Sequence, residues 1–234
     1  MKSGQAEISL SRSSGTIASA AYERVRADII AARIAPGAKL RIREICKHYE
    51  VSLSPMREAL NRLTAEQLVV LNDQRGFAVS GVSKERLKEL TLSRVWLNEL
   101  ALRHSIKNGS QDWEEQLILS FHRLSRVSRY AETETLGLNP AWTQPHRAFH
   151  SALIAACPSD WIKLYCEQLF DQADRYRNLS RSIVMRNRGD IDEHRPLMEA
   201  AIARQTDLAV ELLTQHMTHT TDILLDNWED ISKT

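Results

Sequence analysis

The spacing of apolar residues constrains the fold of this chain more than any other feature. From Ser83 onward apolar side chains recur every three or four residues, and no segment shows the alternation of a strand. Breaks fall at Asn108-Gly109-Ser110, Pro158 and Gly189, and only eight Gly and six Pro occur in 234 residues. The pattern predicts helices at about 83–107, 112–132, 141–156, 160–187, 190–204 and 206–229.

The first 80 residues show a different order of elements. A helix that ends at Pro36-Gly37 is followed by a shorter helix at about 41–49. A third helix is predicted to begin with Ser54 as its N-cap and Pro55 at its first position. Two short strands joined by a polar turn are predicted at Leu68–Leu71 and Phe77–Ser80. This order predicts a winged helix-turn-helix.

We therefore divide the chain into three parts. Residues 1–17 are expected to form a flexible tail, 18–80 the winged helix-turn-helix and 81–234 a larger all-helical domain. The fold class is mainly α.

The third helix is the predicted reader of double-stranded DNA. Arg57 falls in its first turn, where a guanidinium can reach a guanine in the major groove. Hydroxyls and backbone N–H groups at the start of a helix can hold a phosphate. The predicted DNA contacts are Arg41, Arg43, Ser52, Ser54, Arg57, Arg75 and Gly76.

Composition agrees with a DNA-binding part joined to a different domain. The first 80 residues carry 12 Lys and Arg against 8 Asp and Glu, and the remainder carries 19 against 22. Three cysteines without a CxxC pair do not indicate a disulfide framework. No apolar run approaches the roughly 20 residues of a membrane span, and the first residues are unlike a secretory signal. A cytoplasmic protein without membrane contact is expected.

Four of the eight histidines have spacing or neighbours that suggest a shared site. His146 and His150 are four residues apart and therefore lie on one helical face. His194 and His216 lie beside apolar residues in two later predicted helices. Histidines from three helices can converge on one divalent ion inside a bundle. Zinc, nickel and manganese are the candidate ions.

Residues 21–80 closely resemble the DNA-binding domain of the GntR family of transcriptional regulators. The resemblance rests on Pro36-Gly37 before Leu40, on Val51-Ser52, on Ser54-Pro55-Met56-Arg57-Glu58-Ala59-Leu60, and on Leu63, Leu68-Val69 and Arg75-Gly76-Phe77. It implies that Arg43, Ser52, Ser54, Arg57 and Gly76 contact operator DNA. Leu53 departs from the family, since many members have arginine there, and this suggests an altered base preference or a missing phosphate contact.

Residues 83–229 resemble the FCD ligand-binding domain of the FadR subfamily. The resemblance implies an antiparallel bundle of six or seven helices and a metal held by one Asp and three His. His150, His194 and His216 match the three histidines, but His146 stands where the Asp is usual. Two alternatives follow: a four-histidine metal site lacking a carboxylate to offset the charge, or a metal-free pocket in which imidazolium and arginine groups bind an organic anion.

The same resemblance implies effector contacts. Arg94 matches an arginine that many members direct into the pocket, where it pairs with an effector carboxylate. Within Arg175-Tyr176-Arg177 we expect Tyr176 to reach the effector and at least one of the two arginines to be solvated. The His146-Arg147-Ala148-Phe149-His150 segment, together with that run, looks like the glutarate-responsive repressors, so a dicarboxylate such as glutarate is the expected small organic acid.

Three classes of function were compared. A homodimeric repressor released from a palindromic operator by an organic acid accounts for both domains. A metal-dependent helical enzyme is disfavoured because Glu-x-x-His, His-Asp, HExxH, GxSxG and phosphate-binding glycine motifs are absent from the sequence. An architectural DNA binder leaves the second domain without a role. We therefore expect a regulator and not an enzyme.

Overall fold

The computed structural model describes residues 16–73, 75–129, 139–180 and 193–231. Packing divides them into two units. The first contains residues 16–27 and Lys39–Val79, and the second contains Asp28–Ala38 and the described residues from Ser80 onward.

The first unit is a winged helix-turn-helix, as predicted. Its elements are α1 (Ile17–Ile30), β1 (Lys39–Leu40), α2 (Ile42–Tyr49), α3 (Leu53–Ala65), β2 (Val69–Asn72) and β3 (Gly76–Val79). The last three residues of α1 belong to the second unit. The strands form an antiparallel sheet in the order β1-β3-β2. The core is formed by apolar residues of all three helices and of the sheet, including Val25, Ile45, Met56, Leu60, Leu63 and Val79.

Helix α3 begins two residues earlier than predicted. Its N-cap is Ser52 and its first residue is Leu53, whereas the sequence analysis placed the cap at Ser54. Pro55 consequently occupies the third helical position. That position is tolerated because N–H groups of the first turn have no intrahelical partner to lose.

The second unit is all-helical. Its elements are α4 (Lys84–Asn108), α5 (Gln111–Ser125), α6 (Pro140–Leu153), α7 (Asp160–Leu179), α8 (His194–Ile202), α9 (Thr206–Asp226) and α10 (Trp228–Ile231). Helix α4 packs against α7 and α9, while α5 packs against α6 and α8. None of the helices in the described ranges is long and apolar enough to cross a membrane.

Side-chain caps explain where several of these helices begin. Ser83 accepts a hydrogen bond from the Arg86 backbone N–H, and Ser110 does the same for Trp113. Asn139 caps α6 and Ser159 caps α7 in the same way. Each cap satisfies an N–H group that the helix cannot, which contributes about 1 kcal/mol.

Several predicted helices differ in length from those observed. Helix α5 ends at Ser125 instead of 132, and the last predicted helix is divided at Asn227 into α9 and α10. The predicted extension of α7 to 187 and the first residues of the helix predicted at 190–204 fall partly outside the described residues.

Candidate functional site

The start of α3 presents polar side chains to solvent in the first unit. Ser52, Ser54 and Arg57 are all exposed, and the Ser52 hydroxyl makes no capping hydrogen bond to the helix. The first-turn N–H groups and these hydroxyls are therefore accessible to a phosphate, while Arg57 is accessible to a base edge. Leu53, where the family often has arginine, is 52% exposed.

The remaining predicted DNA contacts are exposed as well. Arg41 and Arg43 lie at the start of α2, where Arg41 forms an exposed ion pair with Glu44 at 3.0 Å. Arg75 and Gly76 lie at the hairpin of β2 and β3. Gly76 has a φ of 76°, a left-handed conformation that a residue with a side chain rarely adopts.

The second unit brings the four predicted histidines together. His146 and His150 extend from α6, His194 is the first residue of α8, and His216 lies in the middle of α9. All four are buried, and one nitrogen of each lies within 4.8 Å of the others. The ring centroids of His194 and His216 are 4.8 Å apart. The sequence prediction that these residues converge agrees with this geometry.

The size of the cluster fits a transition-metal ion. Ligand nitrogens around one tetrahedral zinc ion stand about 3.4 Å apart, because each bond is about 2.1 Å long. The widest separation in the cluster would have to contract by about 1.4 Å to reach that distance, which small rotations of the four side chains can supply. Imidazole nitrogens are ligands that zinc, copper, iron and nickel accept.

The protonation state of the cluster also suits a cation. Burial lowers the pKa of His146 well below its ordinary value, with further contributions from the charges of His150 and Arg177. Burial likewise lowers the pKa of His150, followed by the charges of His216 and His194. Both rings are therefore neutral near pH 7, which is the form that binds metals.

A carboxylate contacts one histidine of the cluster. Glu193 accepts hydrogen bonds at 2.7 Å from Nδ1 of His216 and at 2.7 Å from Nδ1 of His219. A carboxylate on one ring nitrogen directs the other nitrogen toward a metal and raises its basicity. Glu193 is thus a carboxylate next to the cluster, which the sequence did not predict.

Three arginines lie around the ring of Phe170 beside the histidines. The guanidinium carbons of Arg94, Arg147 and Arg177 are 5.9, 4.5 and 4.9 Å from the ring centroid. His150 is also 5.7 Å from this ring, centroid to centroid. Phe170 therefore connects the histidine cluster to a cationic surface suited to an organic anion.

Arg94 is the arginine that the sequence analysis selected, and it is 6% exposed. Its Nε has no hydrogen-bond partner among the described residues. Burial, followed by the charge of Arg177, lowers the pKa of Arg94 to about 10. A buried guanidinium with an unused donor is matched to a carboxylate ligand.

Two buried carboxylates neutralise part of this charge and were not identified from the sequence. Arg147 donates to Asp171 and, at 3.2 Å, to Asp174, and Arg177 also donates to Asp174. Arg147 further contacts Glu167 at 2.9 Å. The spacing of Asp171 and Asp174 by three residues on α7 was the available signal.

Tyr176 does not lie with the histidines. It packs with Leu87, Leu179 and Leu224 in a second apolar cluster, and its ring is 6.2 Å from that of Trp228. The expectation that Arg175 or Arg177 is solvated is wrong, because both are buried. Arg175 instead donates to the carbonyl of Ser80 at 2.6 Å.

Comparison with known proteins agrees with both units. The family described as "Bacterial regulatory proteins, gntR family" matches residues 17–79, and the FCD domain matches residues 89–219. The transcriptional regulator BphR of Paraburkholderia xenovorans is 38% identical over 198 residues, 85% of this chain and 81% of the relative. The transcriptional repressor GlaR of Escherichia coli is 32% identical over 200 residues, 84% of this chain and 90% of the relative.

Solved structures show the same fold. Escherichia coli McbR/YncC has a TM-score of 0.73 at 18% identity, covering 92% of this chain and 99% of that one. A GntR-type regulator from Rhodococcus sp. RHA1 has a TM-score of 0.68 at 22% identity, covering 89% and 97%. The chain belongs to the GntR family of helix-turn-helix transcriptional regulators, in the group with a C-terminal FCD domain, and this family is one of regulators and not of enzymes.

Proposed function

We propose that the chain is a repressor that leaves its operator when a small organic acid binds in the C-terminal helical domain. The observation that carries the proposal is the buried histidine cluster beside Arg94, Arg147 and Arg177. The buried guanidinium of Arg94, with its unused Nε–H, is costly to bury unless a ligand pairs with it. The relative GlaR is a repressor, which supports the sign of regulation.

The proposed cofactor is one divalent ion, zinc, nickel or manganese, held in the cluster of His146, His150, His194 and His216. Such an ion would offer a coordination position to a carboxylate oxygen when three of the histidines hold it. Arg94 then pairs with a carboxylate of the effector through its unused Nε–H. A dicarboxylate such as glutarate has one charged group for each of these two positions.

The second candidate is a metal-free pocket that binds the same anion directly. The lowered pKa values of His146 and His150 disfavour imidazolium at neutral pH. Direct recognition would then depend on the arginines, and the unused donor of Arg94 is the observation in its favour. Tyr176, the other predicted effector contact, belongs to neither candidate because it packs in the second apolar cluster.

The proposed DNA contacts are the exposed residues of the first unit. Arg57 reads a base, Ser52 and Ser54 hold a phosphate at the start of α3, and Arg75-Gly76 contacts DNA from the hairpin. Arg41 and Arg43 contact the phosphate backbone. We propose that the effector binds the operator-free form more tightly than the operator-bound form, so that each ligand weakens the other.

We also propose that the regulator acts as a homodimer on a palindromic operator. One chain has one recognition helix and reads one half-site, so a palindrome requires a second copy. Leu92, Trp96 and Leu100 follow each other at four-residue spacing on α4 and are 48%, 62% and 43% exposed. An exposed apolar row of this kind is typical of protein interfaces, and we assign it to the second copy.

The experiment begins by selecting the preferred DNA from a random pool with the purified full-length protein. Fluorescence anisotropy of the selected duplex then measures its release by glutarate, with a neutral sugar as control. Glutarate should release the DNA and the sugar should not. Equal effects of the two compounds, or release by neither glutarate nor other organic acids, would contradict the proposal.

A further inference from the structure

The imidazole ring of His146 is fixed by contacts with three side chains. It stacks on Trp142 with a centroid distance of 4.0 Å and an interplanar angle of 22°. Its Nδ1 lies 3.4 Å from Nη1 of Arg177, and its Nε2 lies 3.1 Å from Nε2 of His150. These contacts define which nitrogen of His146 carries hydrogen.

A guanidinium has only hydrogen-bond donors, so Nδ1 of His146 accepts from Arg177. A neutral imidazole has one N–H, and in His146 that hydrogen must then be on Nε2. The close contact with His150 agrees, because Nε2–H of His146 donates to the lone pair on Nε2 of His150. Asp174 fixes Arg177 in this position by an ion pair between buried side chains.

This arrangement separates His146 from the other three histidines. A nitrogen that carries hydrogen has no lone pair for a metal, so Nε2 of His146 is a donor and not a ligand atom. When Nε2 of His150 coordinates an ion, the hydrogen bond from His146 to that nitrogen is lost. The N–H of His146 then remains directed at the cluster and needs a new acceptor.

We propose that His146 donates a hydrogen bond to a carboxylate of the effector, while His150, His194 and His216 hold the ion. Arg177 is the positioning residue that sets the tautomer of His146. The inference deepens the proposed function and rests on it. It assigns the position where the family has aspartate to recognition of an oxyanion and not to metal binding.

The proposal also accounts for the balance of charge. Among the described residues the clustered ligand candidates are all histidines, and Glu193 contacts Nδ1 of His216, so an ion held by three neutral imidazoles would carry positive charge available to an anionic effector. The carboxylate receives the N–H of His146 in addition to the ion. A carboxylate has two oxygens, one for the ion and one for the N–H of His146.

Cobalt(II) binding to the full-length protein tests the assignment, because cobalt replaces zinc and its absorption spectrum reports coordination. The variants are His146→Phe, which keeps the stacking on Trp142 but has no N–H, and the matched His150→Phe. We expect His146→Phe to bind one cobalt ion within about tenfold of the wild-type affinity. His150→Phe should lose more than about hundredfold in cobalt affinity, which is more than the usual effect of removing a residue that only orients a ligand.

Glutarate binding to the cobalt-loaded proteins supplies the second readout. His146→Phe should weaken glutarate binding by about ten- to hundredfold, the usual effect of losing a hydrogen bond to a charged group. His146→Asp should bind cobalt more tightly and glutarate more weakly than the wild type. His146→Asn serves if His146→Phe does not fold, and it should keep cobalt as well.

Nuclear magnetic resonance of protein with ¹⁵N-labelled histidine tests the role of Arg177. In the metal-free wild type, His146 should show hydrogen on Nε2 and none on Nδ1, and Arg177→Met should shift that signature toward the other tautomer. Equal loss of cobalt in His146→Phe and His150→Phe, or hydrogen on Nδ1 in the wild type, would overturn this inference alone. A wild-type protein that takes up no cobalt would overturn the metal of the proposed function and this inference together.

Discussion

Replacing Arg147 with methionine tests whether the buried charges beside the histidine cluster stabilise the second unit. The Arg147 guanidinium contacts three carboxylates, of which the Asp171 and Asp174 side chains are 4% and 6% exposed and that of Glu167 is 39% exposed. Methionine keeps most of the apolar length of the side chain. The substitution therefore removes charge with little loss of packing.

The size of the effect follows from these exposures. Removing one partner of a buried ion pair costs about 3–5 kcal/mol, because the other charge stays buried. Asp174 keeps Arg177 as a partner, and the Arg147 side chain is itself 23% exposed, so the lower end applies. We expect a loss of about 3 kcal/mol in the free energy of unfolding.

Urea unfolding followed by tryptophan fluorescence measures this change, since all five tryptophans lie after residue 80. Arg103→Met is the matched control. Arg103 also pairs with two carboxylates, Glu99 and Asp207, but its side chain is 40% exposed and theirs are 39% and 92% exposed. Exposed pairs contribute about 0–1 kcal/mol, so the control should change little. Equal losses in the two variants would refute the reasoning from burial.

Three further predictions concern other parts of the chain. Arg57→Lys should weaken binding to the selected operator by about 1–3 kcal/mol, measured by fluorescence anisotropy, and should relax the sequence preference at one base pair. If the preference stays unchanged at every base pair, Arg57 does not contact a base. Trp96→Lys should convert the proposed dimer into a monomer in size-exclusion chromatography with light scattering; a variant that stays dimeric would contradict the assignment of α4 to the interface. Burial, then the hydrogen bond to Glu66, raises the pKa of Tyr22 to about 12. Because the unfolded tyrosine loses its proton near pH 10, the contribution of Tyr22 to stability should be constant below that pH and fall between about pH 10 and 12. Circular dichroism melts should show this fall in the wild type and a smaller one in Tyr22→Phe.

Much of the fold follows from spacing and turn residues. The three helices and the hairpin of the first unit and the long helices of the second unit were predicted. Strand β1, Lys39–Leu40, was missed because two residues are too few to show a period. The start of α3 was misplaced because Ser52 and Ser54 are equally good caps by residue type, and packing selects the first.

The histidines were predictable for a related reason. The spacing of His146 and His150 fixes their common face. Apolar neighbours selected His194 and His216, and the resemblance to FCD domains agreed with that selection. What the sequence could not supply was the rotation of α7. Three successive residues, Arg175 to Arg177, point in three directions on a helix, and the whole run is buried. Polarity alone therefore selected Tyr176, whereas the structure places Arg177 next to His146.

The number of metal ions bound per chain tests the account most directly. Elemental mass spectrometry would be applied to untagged protein purified without chelator and shown to bind operator DNA. The account predicts close to one equivalent of zinc, nickel or manganese in the wild type and its loss in His150→Ala. Wild-type protein that binds the operator but carries essentially no metal would contradict the account, and recognition of the anion would then depend on the arginines around Phe170.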